Sequence, residues 1–160
     1  MAVFSAGELY DIAVGIEKNG VAYYGSLSEQ VDDPDLKHMY SDLADMEQHH
    51  IHVFREMRDN SVESGPVVPP DVEQEYDEYL RALIDSSVFP NDDVAREVAA
   101  RAADTAEALQ FAIGAEKDSI LFYTEMKDLV PAKEREAVDR IIQEEKKHLR
   151  DLSALKRQFS

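Results

Sequence analysis

Apolar residues recur along most of this chain at spacings of three and four and never in sustained alternation, a pattern that predicts helices and no strands. Leu9, Ile12, Ala13, Ile16, Gly20, Tyr24 and Leu27 form one stripe. Their helix opens at Ser5-Ala6-Gly7-Glu8, which has capping-box spacing, and runs to about Glu29. Asp33-Pro34 supplies an N-cap and a first-turn proline for a second helix, striped by Leu36, Tyr40, Leu43 and Phe54 and ending near Asn60. A third helix starts at Asp104 or Thr105, carries Leu109, Ala112, Ile113, Ile120 and Tyr123 on one face, and stops before Pro131. Pro131 suits the N1 position of a fourth, running to about Arg157 with Val138, Ile141, Ile142, Leu152 and Leu155 inward. Ser64-Gly65-Pro66-Val67-Val68-Pro69-Pro70 breaks the chain. Residues 61–103 are too many for a structureless loop, so two shorter helices are expected there, about 71–85 and 92–102, around a turn at Phe89-Pro90-Asn91.

The chain also repeats itself. Ala13–Tyr24 aligns without gaps on Ala112–Tyr123, sharing Ala, Gly, Glu, Lys and Tyr, and Met46–Ile51 aligns on Glu144–Leu149. Two copies of a helical hairpin, about 5–60 and about 104–158, therefore build an all-α four-helix bundle, with the segment of about 61–103 between the halves and residues 1–160 as a single domain.

Composition narrows the chemistry. A chain of 160 residues is long enough for one substantial core. It contains no cysteine, which excludes disulfides, thiolate zinc sites and iron–sulfur clusters within it, so any metal is held by oxygen and nitrogen. The net charge of -17 argues against nucleic acid and anionic membranes as partners, because their phosphates would be repelled. Met1-Ala2-Val3-Phe4-Ser5 lacks the basic start of a secretory leader, and no run approaches the roughly 18 apolar residues of a membrane span. A soluble, cytoplasmic protein is expected.

Each hairpin carries a Glu on its first helix and Glu-x-x-His on its second: Glu17 with Glu47 and His50, then Glu116 with Glu145 and His148. Residues three apart lie one turn along a helix and about 60° around it, so both side chains reach one ion. A single Glu-x-x-His is common by chance, and a single Glu in an apolar stripe usually packs its stem while its head reaches solvent. Here all six residues fall inside the apolar stripes, in the order that a bundle-core two-metal site requires. Four buried carboxylates on one core call for cations, since an unpaired buried carboxylate costs several kcal/mol or takes up a proton. Four carboxylates and two imidazoles suit a pair of iron ions, and manganese or a mixed pair suits the same set.

Tyr24 and Tyr123 each lie two turns beyond the helix Glu on the same face, where a hydroxyl would orient a ligand carboxylate of a neighbouring helix. Gly15, Gly20 and Gly114 would let helices approach closely. His38, His49 and His52 lack the motif and read as solvated or structural, and Glu73, Glu75, Asp77 and Glu78 as a solvated helix face.

On Gly15-Ile16-Glu17 with Tyr24, Glu47-Gln48-His49-His50, Gly114-Ala115-Glu116 with Tyr123, and Glu145-Lys146-Lys147-His148, the sequence resembles the rubrerythrin branch of the ferritin-like superfamily. That resemblance implies a non-haem di-iron centre that reacts with hydrogen peroxide or dioxygen, often in a homodimer. Two features depart from the family. Typical rubrerythrins add a rubredoxin module whose iron is bound by four cysteines, and this sequence has none. They also carry an extra carboxylate one turn from the third-helix ligand, where Ile113 and Ser119 stand on either side of Glu116. The ligand set is thus similar to the symmetric six-residue ferritin type.

The leading expectation is a peroxidase or oxidase that uses an external electron donor, with Glu17 and Glu116 as terminal ligands, Glu47 and Glu145 as bridges and one histidine per metal. The alternatives are a ferroxidase that handles iron, and a metal-stabilised interaction module whose 61–103 segment binds a partner.

Overall fold

In a computed structural model the described residues are 4–61 and 73–159, with the backbone alone described for Glu73. Six α-helices account for most of them: α1 (Ala6–Gln30), α2 (Pro34–Asn60), α3 (Glu73–Asp85), α4 (Asp92–Arg101), α5 (Thr105–Leu129) and α6 (Arg135–Phe159). The expected all-α class holds, with no strand among the described residues. The break at 64–70 and the expected start of α3 near residue 71 lie outside them.

Local chemistry sets the helix starts. Ser5 closes a capping box with Glu8, at 2.9 and 3.2 Å, and Asp33 accepts from the backbone N–H of Asp35 and Leu36 behind Pro34. Asn91 and Asp104 cap α4 and α5 through Val94 and Glu107. The last helix begins differently from the expectation. Pro131 precedes a short 3-10 turn, Ala132–Glu134, and α6 starts only at Arg135. The extended ψ of 143° at Pro131 puts its carbonyl in reach of Glu134 N–H at 2.9 Å, a three-residue closure that tightens the turn before the α-helix.

α1 packs against α2 and α5 against α6, as two hairpins that meet along α1 and α5. α4 lies on α1 and α3 on α5, so the connecting segment braces both halves. It is fastened by matching positions of the repeat. Asn19 on α1 donates to the Phe89 carbonyl at 2.9 Å, and Asp118 on α5 accepts from Val88 N–H at 2.8 Å. The acidic face of α3 is not solvated throughout. Glu75 and Glu78 are exposed, but Asp77 is buried on the inward face of α3 with Leu80, because α3 packs on the bundle instead of standing in solvent. Its carboxylate is paired with Arg81 at 2.9 Å.

The bundle interior is two apolar clusters, not one. Leu9, Tyr10, Ile51, Phe54, Phe122, Met126, Val138 and Ile142 belong to the first. Tyr24, Leu27, Tyr40, Leu43, Leu109, Ala112 and Leu152 belong to the second. Along each of the four long helices the boundary between clusters falls at the predicted ligand positions: Glu17, Glu47 and His50, Glu116, Glu145 and His148.

Candidate metal centre

All six residues are buried, and Glu17, His50 and Glu145 have no exposed surface. They converge as two overlapping groups. Donor atoms of Glu17, Glu47, His50 and Glu145 lie within 4.8 Å of one another, and so do those of Glu47, Glu116, Glu145 and His148. That is about the span of the ligands around one first-row ion. Glu47 and Glu145 are the residues common to both groups, which is the placement a bridging carboxylate needs.

Both imidazoles aim Nδ1 inward. For His50 it lies 2.8 Å from Glu145 and 3.4 Å from Glu17. For His148 it lies 3.6 Å from Glu145 and 3.7 Å from Glu47 and Glu116. The tyrosines cross between hairpins: Tyr24 donates to Glu116 at 2.7 Å and Tyr123 to Glu17 at 2.6 Å. Burial, and then the adjoining carboxylate charge, keep both phenols protonated, so they donate at neutral pH.

The electrostatics without an ion are unfavourable. Burial first, then the charge of neighbouring carboxylates, pushes Glu17, Glu47 and Glu116 well above the ordinary carboxyl range. Burial acts the same way on Glu145, but the close approach of Glu116, His148 and His50 outweighs it and holds that carboxylate low. Burial alone would lower His50, and Glu145, Glu47 and Glu144 instead raise it to about 9.

The residues fit a metal pair on an observation independent of sequence. Among the described residues, the buried side-chain atoms without a hydrogen-bond partner include Glu17 Oε2, Glu47 Oε1, Glu116 Oε2, both oxygens of Glu145, and Nδ1 of His50 and His148. Native proteins rarely leave such atoms orphaned, and seven of them on the six residues of two overlapping groups fit a place for cations.

Gly20 makes room for this. A Cβ there would meet Glu47 Oε2 at 2.5 Å, so the bare backbone of α1 lets that carboxylate reach the centre. Gly114 takes the methyl of Val88 in the same way, whereas nothing lies within 4 Å of a Cβ at Gly15, whose expected role in helix approach is not seen. His38 and His52 are exposed beside Asp42 and Glu56, and His49 is exposed.

The sequence matches the Rubrerythrin family over residues 8–156. The chain belongs to the rubrerythrin family. A solved structure from Thermotoga maritima, provisionally described as a ferritin-like diiron-carboxylate protein, superposes with a TM-score of 0.72. It is 29% identical and aligns over 100% of this chain and 99% of its own. No curated protein matches. The sequence contains no cysteine and so no four-cysteine iron site of the rubredoxin type within it.

Sequence reasoning gave no role to three features of the site. Glu144 accepts from Nε2 of His50, across the hairpins, at 2.5 Å. A cavity of about 410 Å³ opens between α1, α5 and the turn joining α3 to α4, walled by Ile16, Tyr23, Phe89 and Phe122 and floored by Glu47 and Glu116. The third is that turn itself, which supplies part of the wall. A legible signal existed for Glu144 alone, since the repeat breaks there against Met46.

Proposed function

We propose that this rubrerythrin-family chain is a non-haem dinuclear metal protein, with iron as the expected metal, that reduces hydrogen peroxide or dioxygen using electrons from an external donor. The observation that carries the reading is the set of orphaned, inward-facing donor atoms on all six residues. Glu17, Glu47 and His50 would hold one ion and Glu116, Glu145 and His148 the other, with Glu47 and Glu145 shared. A bound iron pair supplies the two electrons that a small oxidant needs. The chain's own residues do the rest. Tyr24 and Tyr123 fix the terminal carboxylates, and apolar packing on both sides of the centre excludes bulk water and strengthens every charge interaction inside it. The cavity over Glu47 and Glu116 gives a small oxidant a path from solvent.

Metal analysis of protein purified without oxygen, followed by stopped-flow mixing of the reduced form with hydrogen peroxide, tests this reading. About two ions per chain and rapid loss of the ferrous signal are expected. A ferrous signal unchanged over seconds would rule it out. The same cavity also favours a second reading, in which ferrous ions enter as the substrate of a ferroxidase. Iron retained far beyond two ions per chain after repeated additions would select that reading. The expected homodimer is checked by sedimentation.

A further inference from the structure

The repeat duplicates the ligands but not what stands behind the histidines. His50 is fully buried, with Nδ1 toward the centre and Nε2 donating to Glu144. That bond fixes the ring's direction and tautomer, leaving the Nδ1 lone pair for an ion and making it a stronger donor. The repeat places Met46 where Glu144 stands, and a thioether offers only a weak acceptor without charge. The ion-pair contacts of His148 among the described residues all run through Nδ1, and its side chain keeps 7% of its surface in solvent against none for His50. The cavity shows the same bias. Of the six residues only Glu116 and the shared Glu47 line it, so the bias is carried by Glu116 against Glu17, and neither histidine reaches its walls.

Resting on the dinuclear reading above, we propose that the two metal positions are unlike. The one held by Glu17 and His50 is tight and closed, and the one held by Glu116 and His148 is weaker, exchangeable and open to the cavity. Glu144 is the positioning residue that makes the difference. The chain is therefore suited to keep one ion while the other is loaded, lost or replaced by a different divalent metal.

Cobalt(II) titration of the metal-free protein without oxygen, followed by calorimetry and visible absorption, reads both positions without activity. Two steps about 10–100-fold apart in affinity are expected, the range that a hydrogen-bonding partner behind a ligand contributes. His148→Ala should delete the weak step and His50→Ala the tight one. Glu144→Leu should bring the tight step down to the weak one, and Glu144→Gln, which keeps an acceptor oxygen, should recover part of it. Met46→Glu should raise the weak step, a gain that misfolding cannot imitate. In NMR of the cobalt-loaded protein, the Nε2 proton of His50 should exchange slowly with solvent and become fast in Glu144→Leu. Equal affinities in the parent protein, or two steps unmoved by both Glu144→Leu and Met46→Glu, would overturn the inference while leaving the dinuclear reading intact. No cobalt bound at all would instead sink that reading.

Discussion

Glu17 on α1 and Glu116 on α5 occupy matching positions, and each accepts a hydrogen bond from the tyrosine of the other hairpin. Away from those ligands the halves diverge. The first hairpin has glycine at position 20, where the second has Ser119, and methionine at 46, where the second has Glu144. Charge gives the matched positions a reason: four carboxylates in one apolar interior must be offset by cations or protons, so removing one partner leaves the others uncompensated. Residues one layer out answer to space and hydrogen bonding, and they can differ without collapsing the site. A symmetric ligand set can in this way sit inside an asymmetric surround.

The comparison breaks most completely at the shared carboxylates. Glu145→Ala removes a residue common to both donor groups, so both ions should be lost, with affinity down by more than about 100-fold and metal per chain near zero by elemental analysis. His148→Ala should leave about one ion. Gly20→Ala comes next. The added methyl would meet Glu47 Oε2 at 2.5 Å and its Cδ at 3.1 Å, so the carboxylate must swing away. Metal affinity should fall about 10-fold or more, with about 1–3 kcal/mol of stability lost by overpacking. Ser119→Ala at the matching position should do little, which chemical denaturation and metal titration of the two variants would show.

A smaller effect separates the metal-free from the metal-loaded protein. Glu17, Glu47 and Glu116 retain protons in the folded metal-free chain that the unfolded chain, with an ordinary value of 4.5, releases. Their stabilisation is present below pH 4.5 and lost as pH rises toward their raised values. His50, raised from 6.5 to about 9, acts in the same direction up to that pH. Glu145 runs oppositely, and its contribution disappears only on acidification. The Tm of metal-free protein should therefore fall between pH of about 5 and 8, whereas metal-loaded protein should hold or gain because the ions displace those protons. Calorimetric scans with and without metal check the sign. The smallest expected change is Tyr24→Phe against Tyr123→Phe, each weakening one position by about 10-fold or less. Under the proposed asymmetry the first should act on the weak cobalt step and the second on the tight one.

The helices, their caps and the convergence of six side chains were legible because helical periodicity, capping residues and an internal repeat are local signals that a chain carries whatever it packs against. Asp77 was misread for the opposite reason. Its neighbours in sequence are acidic and exposed, and only the packing of α3 on the bundle buries it beside Arg81. Pro131 was placed one element too early, since N1 of an α-helix and the start of a 3-10 turn share the same φ and differ in the closure that follows. The cavity had no sequence signal, because its walls come from α1, α5 and a turn between two helices that show no repeat.

By itself the sequence determined that this chain is helical, that it is built twice, and that four carboxylates and two imidazoles share the buried phase of four helices. Periodicity and the cost of burying charge suffice for that much. Tertiary structure decided that Glu144 stands behind His50 and that the opening lies over Glu47 and Glu116, so the surroundings of the two halves differ. Those properties depend on atoms brought together across hairpins, as Glu144 is to His50 at 2.5 Å, and no spacing along one helix encodes such a distance.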